Sequence, residues 1–138
     1  MLPFEFIVMG PPLSHQSHNK VRLAGWRNSV RQAAIAAWPL NDPVLAEPLE
    51  LTVWYLHDGP AVIIDNDNLV KPIQDALNAH IYADDHHIVA THVHKRPLDG
   101  QFYVRHMSPV LANGFVIGQE FIWVRIAGAA IPGHFHGN

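Results

Sequence analysis

The chain has 138 residues and no cysteine, which excludes disulfide bonds and thiol chemistry but leaves the cellular compartment open. No apolar run approaches the roughly 20 residues that a membrane-spanning helix needs, so we expect no membrane partner. The opening "MLPFEFIVMG" has no basic segment and carries Glu5 inside its apolar run, which is unlike a secretory signal. The sequence therefore predicts a cytoplasmic location.

Charged residues are scarce at 15% of the chain, whereas hydrophobic residues make up 49%. This balance and length are typical of one globular domain. The net charge of −3 is unusual for a nucleic-acid partner, because domains that bind nucleic acids are usually basic. However, residues 65–85 hold five acids and one lysine, a net of −4, so the remainder of the chain sums to +1. Two divalent cations would cancel the local charge, and an anionic substrate is therefore not excluded.

The pattern of apolar residues predicts a single α+β domain at 1–128, with a mixed sheet and two main helices. Residues 129–138 are expected to form a flexible tail that contains histidines. One helix is predicted from Val21 to Trp38, and a second follows Asn68, a predicted N-cap, with Pro72 near the end of its first turn. The apolar stripe expected on the second helix consists of Leu69, Ile73, Ala76 and Leu77.

Strands are expected where apolar and polar residues alternate or where β-branched and aromatic residues are abundant. The predicted strands are "FEFIVMG" near the start, Leu49–Leu56, the short "AVII" that leads into Asp65, His87–His94, "QFYVRH", and a strand or hairpin at Gly114–Gly128 in which Gly118 is a bulge or turn.

The densest chemical signal is "DNDNLVKPIQDALNAHIYADD" at residues 65–85. Asp65 and Asp67 are two apart, and at the end of a strand this spacing places both side chains on one face. Asp84 and Asp85 follow the helix, and a strand–helix–strand excursion can return them to the first pair. Three or four converging carboxylates without cysteine suit hard cations, Mg²⁺ or Mn²⁺. Such magnesium sites commonly serve phosphoryl transfer.

A plainer interpretation of the same residues stays open. Asp and Asn before a helix are commonly caps and turns, and "ADD" after a helix is commonly a solvated loop. Lys71 and Asp75 are four apart and can form a surface ion pair.

The ordered set in this segment resembles the signature of RusA-type Holliday junction resolvases. The set consists of "DNDN", a lysine four residues after the second aspartate, "DAL", and then an aromatic residue with an Asp-Asp pair in "IYADD". The earlier "GPPLSHQSHNKVRLAGW" is similar to the opening strand and proline-rich loop of that family. The resemblance implies a homodimeric, Mg²⁺-dependent endonuclease, with Mn²⁺ as a substitute. Such an enzyme cuts four-way DNA junctions by paired symmetric nicks in recombination and repair.

Position by position, the resemblance implies catalytic roles for Asp65, Asp67, Lys71 and Asp85. Asp65, Asp67 and Asp85 would hold the metal, and the share of Asp84 in binding it stays open. Lys71 would offset charge on the phosphate in the transition state, and the nucleophile would be a metal-activated water.

Basic residues gather around the first predicted helix. Lys20, Arg27 and Arg31 are candidate DNA contacts, because Arg suits phosphate through bidentate hydrogen bonds. An ordinary solvated helix face explains them equally well. Lys95 and Arg96 are weaker candidates.

The 11 histidines do not form a zinc pattern, since the pairs such as His92 and His94 are two apart and no cysteine is present. The four tryptophans fall within apolar patterns and are expected in the core. Alternatives to a junction resolvase are a metal-dependent nuclease for flaps, forks or duplex, a non-catalytic protein that binds DNA junctions, and a histidine-rich metal-handling protein.

Overall fold

The structure, a computed structural model, describes residues 2–100 and 107–129. The strand predicted at 101–106 and the tail from 130 lie outside these residues. The elements in chain order are β1 (Phe4–Met9), α1 (Lys20–Ala37), β2 (Leu49–His57), α2 (Asn66–Leu77), a 3₁₀ turn (Asp85–His87), β3 (Ile88–Pro97), α3 (Pro109–Ile117) and β4 (Phe121–Gly128). This arrangement confirms a single α+β domain with a mixed sheet.

The four described strands form one sheet in the order β1-β4-β2-β3. Strand β4 runs antiparallel to both β1 and β2, whereas β2 and β3 are parallel. A parallel pair needs a crossover connection, and α2 supplies it here. The segment that carries the acidic residues therefore connects the end of β2 to the start of β3. Strand β3 pairs with β2 and lies at the edge of the described sheet.

The main core lies between one face of the sheet and the helices α1 and α2. Alternate residues of β2 point to this face, as the period of two requires. The stripe predicted on α2 is confirmed, because all four of its residues are fully buried. The buried residues that α1 and β2 contribute to this core are Leu23, Trp26, Val30, Ala34, Leu49, Leu51, Val53 and Tyr55. Among the described helices, none combines the length and apolar character needed to cross a bilayer.

The opposite face of the sheet is covered in part by a third helix that the sequence did not predict. Residues 114–117 belong to α3 and not to a strand, so the strand or hairpin predicted at Gly114–Gly128 is wrong over its first part and confirmed over β4. Ser108 is the N-cap, with its Oγ 3.2 Å from the backbone nitrogen of Leu111, and Pro109 opens the helix. Gly118 ends the helix in the left-handed region, with φ of 75°.

Three further expectations near α2 are corrected. Residues 61–64, "AVII", form no strand. The two edges of β2 are already paired with β3 and β4, so this segment has no free edge of β2 to join. Helix α2 begins at Asn66, and its N-cap is Asp65 rather than Asn68. Pro72 therefore lies inside the helix, beyond the first turn.

Candidate active site

The segment before α2 is attached to the sheet by two hydrogen bonds. The backbone N–H of Val62 donates to the hydroxyl of Tyr55 at 3.2 Å, and the ammonium of Lys95 donates to the carbonyl of Ile64. Asp65 follows this segment directly and is the N-cap of α2. Its backbone is extended, with φ of −64° and ψ of 149°. Its side chain makes no capping hydrogen bond, so the carboxylate stands exposed at the positive end of the helix dipole.

Asp65 and Asp67 do not lie at the end of a strand, so their predicted placement on one strand face is wrong. Asp67 is the second residue of α2, and its Oδ1 lies 3.0 Å from the backbone nitrogen of Asn68. Successive helical residues are rotated by about 100°, so positions two apart do not share a helix face. Both carboxylates are exposed.

A cavity of about 590 Å³ opens beside α2. It has three walls, which are the first three turns of α2, the edge strand β3, and the loop between β1 and α1. Of the predicted site residues, Asp67 and Lys71 line it. The full lining is His15, Asn66, Asp67, Asn68, Val70, Lys71, Gln74, Thr91 and Val93. Sequence patterns could not find His15 or the β3 residues, because only the packing of distant segments brings them to α2.

Lys71 is the electrostatic link between the two acidic segments. Its Nζ lies 2.8 Å from Oδ1 of Asp75, which confirms the predicted ion pair, and 3.5 Å from Oδ2 of Asp85. The hydrogen bond to Asp75 is the largest of the causes that raise the pKa of Lys71 above its ordinary 10.5. The ammonium is therefore charged at neutral pH and lies at the cavity wall.

Asp85 is positioned by a buried phenol. The hydroxyl of Tyr82 lies 3.1 Å from Oδ1 of Asp85 and 2.9 Å from the carbonyl of Gln74. Burial, followed by the charge of Asp85, raises the pKa of Tyr82, so the hydroxyl keeps its proton. Since a phenol has one hydrogen, it donates to one of these two acceptors at a time. The motif "IYADD" includes Tyr82, but the sequence did not predict its contact with Asp85.

Asp84 lies in a different environment from Asp85. It is exposed, and its Oδ2 lies 3.1 Å from the backbone nitrogen of His86 and 2.6 Å from Nδ1 of the same residue. The backbone hydrogen bond is the largest cause that lowers the pKa of Asp84. Asp84 thus caps its own 3₁₀ turn, whereas Asp85 contacts α2.

The expected convergence of three or four carboxylates is not present in this arrangement. In the described parts of the chain, no three His, Asp or Glu side chains are grouped so that they could hold a metal ion. Instead, Asp85 lies beside Lys71, Asp84 pairs with His86, and Asp65 and Asp67 are exposed at the start of α2. The donor chemistry, carboxylate oxygens only, still fits a hard divalent cation. The assignment of Asp65, Asp67, Asp84 and Asp85 as metal ligands stays a prediction.

The candidate DNA contacts on α1 differ in their surroundings. Lys20 is exposed at the first position of the helix. Arg31 is half-buried, and its Nε donates to the carbonyl of Ala76 at 3.3 Å, which joins α1 to α2. Arg27 is also half-buried, and its Nη1 is enclosed without a hydrogen-bond partner among the described residues.

The four tryptophans differ in burial, and Arg96 lies near one of them. Trp26 and Trp123 are buried, as predicted, and Trp38 packs edge-on against Phe4 with ring centroids 4.8 Å apart. Trp54 is half-buried on the sheet face opposite α1 and α2, with the guanidinium of Arg96 at 6.0 Å from its ring centroid.

Comparison with known families identifies the class of protein. The model of a DNA-cutting family, endodeoxyribonuclease RusA, matches residues 14–105. This match spans more than half of the chain, and the chain belongs to the RusA endodeoxyribonuclease family, as the sequence resemblance implied. Its substrate class is therefore DNA. No curated protein matches the chain.

Proposed function

We propose that the chain is a Mg²⁺-dependent endonuclease that resolves four-way DNA junctions by paired symmetric nicks, in recombination and repair. The observation that carries the proposal is that Asp67 and Lys71 line one open cavity, while Oδ2 of Asp85 lies 3.5 Å from Nζ of Lys71. One carboxylate and the lysine of the family pattern thus line a single cavity, and a second carboxylate lies within ion-pair distance of that lysine. The cytoplasmic location stays a prediction from the sequence.

The residues of the chain divide the work in this proposal. Asp65, Asp67 and Asp85 would hold the cation, and Asp84 is the candidate for an additional ligand. When bound, Mg²⁺ supplies Lewis-acid charge at the phosphate and promotes attack by water. Lys71 places a fixed positive charge where negative charge develops on the phosphate oxygens. Asp75 holds the ammonium of Lys71 in place at 2.8 Å.

Junction resolution also requires two active sites, because symmetric cuts fall on two strands. We therefore propose a homodimer with one cavity in each protomer. Sedimentation velocity of the purified chain, with and without junction DNA, measures the assembly. A monomer in both conditions would contradict this part of the proposal and leave the chemistry of one site intact.

The deciding experiment is cleavage of labelled four-way junction, flap and linear duplex, with Mg²⁺ or with EDTA. The variants are Asp67→Asn and the control Asp58→Asn, which removes the same charge from an exposed turn outside the cavity. We expect paired nicks in the junction, lost with EDTA and with Asp67→Asn but kept with Asp58→Asn. Equal cutting of all three substrates would keep the active site and overturn the junction preference. Binding without cutting in Mg²⁺ and in Mn²⁺ would overturn the nuclease assignment in favour of a non-catalytic junction binder.

A further inference from the structure

The loop between β1 and α1 forms a wall of the cavity that the proposed chemistry does not use. His15 lines the cavity from this loop, and its backbone N–H donates to the carbonyl of Asn68 at 2.9 Å. The backbone around it is held by two further bonds to Ser14. The N–H of Ser17 donates to the carbonyl of Ser14 at 2.9 Å, and the N–H of Gln16 donates to the Oγ of Ser14 at 3.0 Å. His15 is therefore held beside Asn68 at the start of α2, and Asp67 lines the same cavity.

The imidazole of His15 has an unused hydrogen-bonding group. Its Nδ1 is enclosed and has no hydrogen-bond partner among the described residues. A neutral imidazole carries one donor and one acceptor nitrogen, and an enclosed donor without an acceptor is rarer than an enclosed lone pair. The favoured tautomer therefore carries its hydrogen on Nε2. That nitrogen is left as the donor for a ligand, in a cavity that Lys71 also lines.

The shape and chemistry of the cavity define the ligand. A phosphodiester offers only oxygen acceptors, and the lining contains several groups able to donate to it. They are the ammonium of Lys71, the side-chain amides of Asn66, Asn68 and Gln74, and the hydroxyl of Thr91. Hydrogen bonds to a charged oxygen are stronger than those between neutral groups, so a further N–H there adds to DNA affinity.

We infer that His15 is a substrate-binding residue whose Nε2–H donates to a non-bridging oxygen of the DNA phosphate seated beside Asp67 and Lys71. This inference rests on the proposed function, since it takes the cavity to be the site of the phosphodiester. It assigns the loop before α1 a direct part in holding the strand that is cut.

The test compares His15→Ala and His15→Gln with the control His18→Ala. His18 lies in the same loop, is exposed and does not line the cavity. The readouts are the Kd for a four-way junction in EDTA and the kcat and KM of cleavage in Mg²⁺. We expect His15→Ala to weaken binding by about tenfold and to raise KM more than it lowers kcat. His15→Gln keeps an N–H donor and should recover most of the affinity, whereas His18→Ala should bind like the wild type.

A junction with a neutral methylphosphonate at the scissile phosphate tests the contact itself. The wild type should lose affinity for it, and His15→Ala should lose much less, because the donor is already absent. If His15→Ala melts at a lower temperature than the wild type, His15→Phe replaces His15→Ala in every comparison. This variant keeps a ring of similar size but has no N–H donor.

Equal affinities of the His15 and His18 variants, or equal losses with methylphosphonate in the wild type and in the variant lacking the donor, would overturn the inference. The proposed function fails by a separate outcome, namely that Asp67→Asn cuts DNA as well as the wild type. The two failures are therefore distinguishable.

Discussion

The hydroxyl of the buried Tyr82 lies 3.1 Å from Oδ1 of Asp85, while Lys71 approaches Oδ2 of the same carboxylate at 3.5 Å. Each oxygen of Asp85 thus has its own neighbour, one neutral and one charged. Two side chains therefore set the orientation of this carboxylate: Lys71 from α2, and Tyr82 from the segment between α2 and Asp85.

The contact of Tyr82 predicts a specific effect on metal use. Tyr82→Phe keeps the buried ring but removes the hydroxyl that lies 3.1 Å from Oδ1 of Asp85, so the proposed ligand loses a hydrogen-bonding neighbour that helps to orient it. We expect the Mg²⁺ concentration for half-maximal cleavage to rise about 10- to 100-fold. Stability should fall by only about 1 kcal/mol, because one buried hydrogen bond is lost. Mg²⁺ titrations of cleavage and thermal melts measure both. An unchanged Mg²⁺ requirement with a lowered Tm would limit Tyr82 to a structural role.

The environments of the neighbouring aspartates predict that they are not equivalent. Asp85→Asn should lower kcat at least about a hundredfold, because it alters a carboxylate held at Lys71. Asp84→Asn should stay within about threefold of the wild type, since that side chain is exposed and pairs with its own turn. Single-turnover cleavage of a four-way junction compares the two variants, each with the same change of charge. The reverse order of effects would transfer the proposed role to Asp84.

The raised pKa of Lys71 predicts how activity and stability depend on alkaline pH. A folded-state pKa above the ordinary 10.5 means that the contribution of Lys71 is fully present below that pH. It is lost only as the pH rises through the higher folded-state value. The ammonium should therefore stay charged up to about pH 9.5. Profiles of kcat against pH for the wild type and Lys71→Arg should then share the same alkaline limb. A limb present in the wild type and absent in Lys71→Arg would show that Lys71 titrates earlier.

Lys71→Gln removes the charge itself and should abolish most of the cleavage. Asp75→Asn leaves the charge in place and loses a half-exposed i,i+4 ion pair, which contributes only a few tenths of a kcal/mol. Its effect on kcat should be correspondingly small.

Two glycines in helices predict opposite effects of the same substitution. A Cβ at Gly114 in α3 would lie 2.6 Å from Cζ and 2.9 Å from Cδ2 of Phe121. Gly114→Ala should therefore lower the free energy of unfolding by about 1–3 kcal/mol. Gly25 in α1 is exposed, with nothing within 4 Å of the added carbon, so Gly25→Ala should stabilise by about 0.5–1 kcal/mol. Urea unfolding measures both, and a neutral Gly114→Ala would contradict the packing of α3 on the sheet.

The basic residues of α1 are expected to have two different roles: one contacts DNA, and another stabilises the fold. Lys20→Gln should reduce the slope of log K against log salt by about 1, because one phosphate contact is lost. Arg31→Gln should instead lower stability by about 1 kcal/mol, since its Nε bond to Ala76 joins two helices. Binding titrations at several salt concentrations and urea unfolding distinguish the two effects. An unchanged slope with Lys20→Gln would remove Lys20 from the DNA interface.

The sequence by itself determined the elements whose signal is local. The stripe of α2 was predictable because apolar spacing of three and four encodes one helix face, and β2 because alternation encodes one sheet face. The family was predictable for the same reason, since its signature is a contiguous run of residues. Helix α3 was predictable in principle from Ser108, Pro109 and Gly118, but apolar residues on all sides conceal its periodicity.

Only the tertiary structure decided which of these residues meet. Strand pairing left "AVII" without an edge of β2 to join, and helix α2 begins at Asn66. The path of the chain after α2, through the buried Tyr82, brings Asp85 close to Lys71. In the same turn, Asp84 pairs with His86. His15 reached Asn68, more than 50 positions away, through the packing of a loop on a helix. No local pattern encodes such contacts, because they depend on the free energy of the whole packed domain and not on the spacing within one segment.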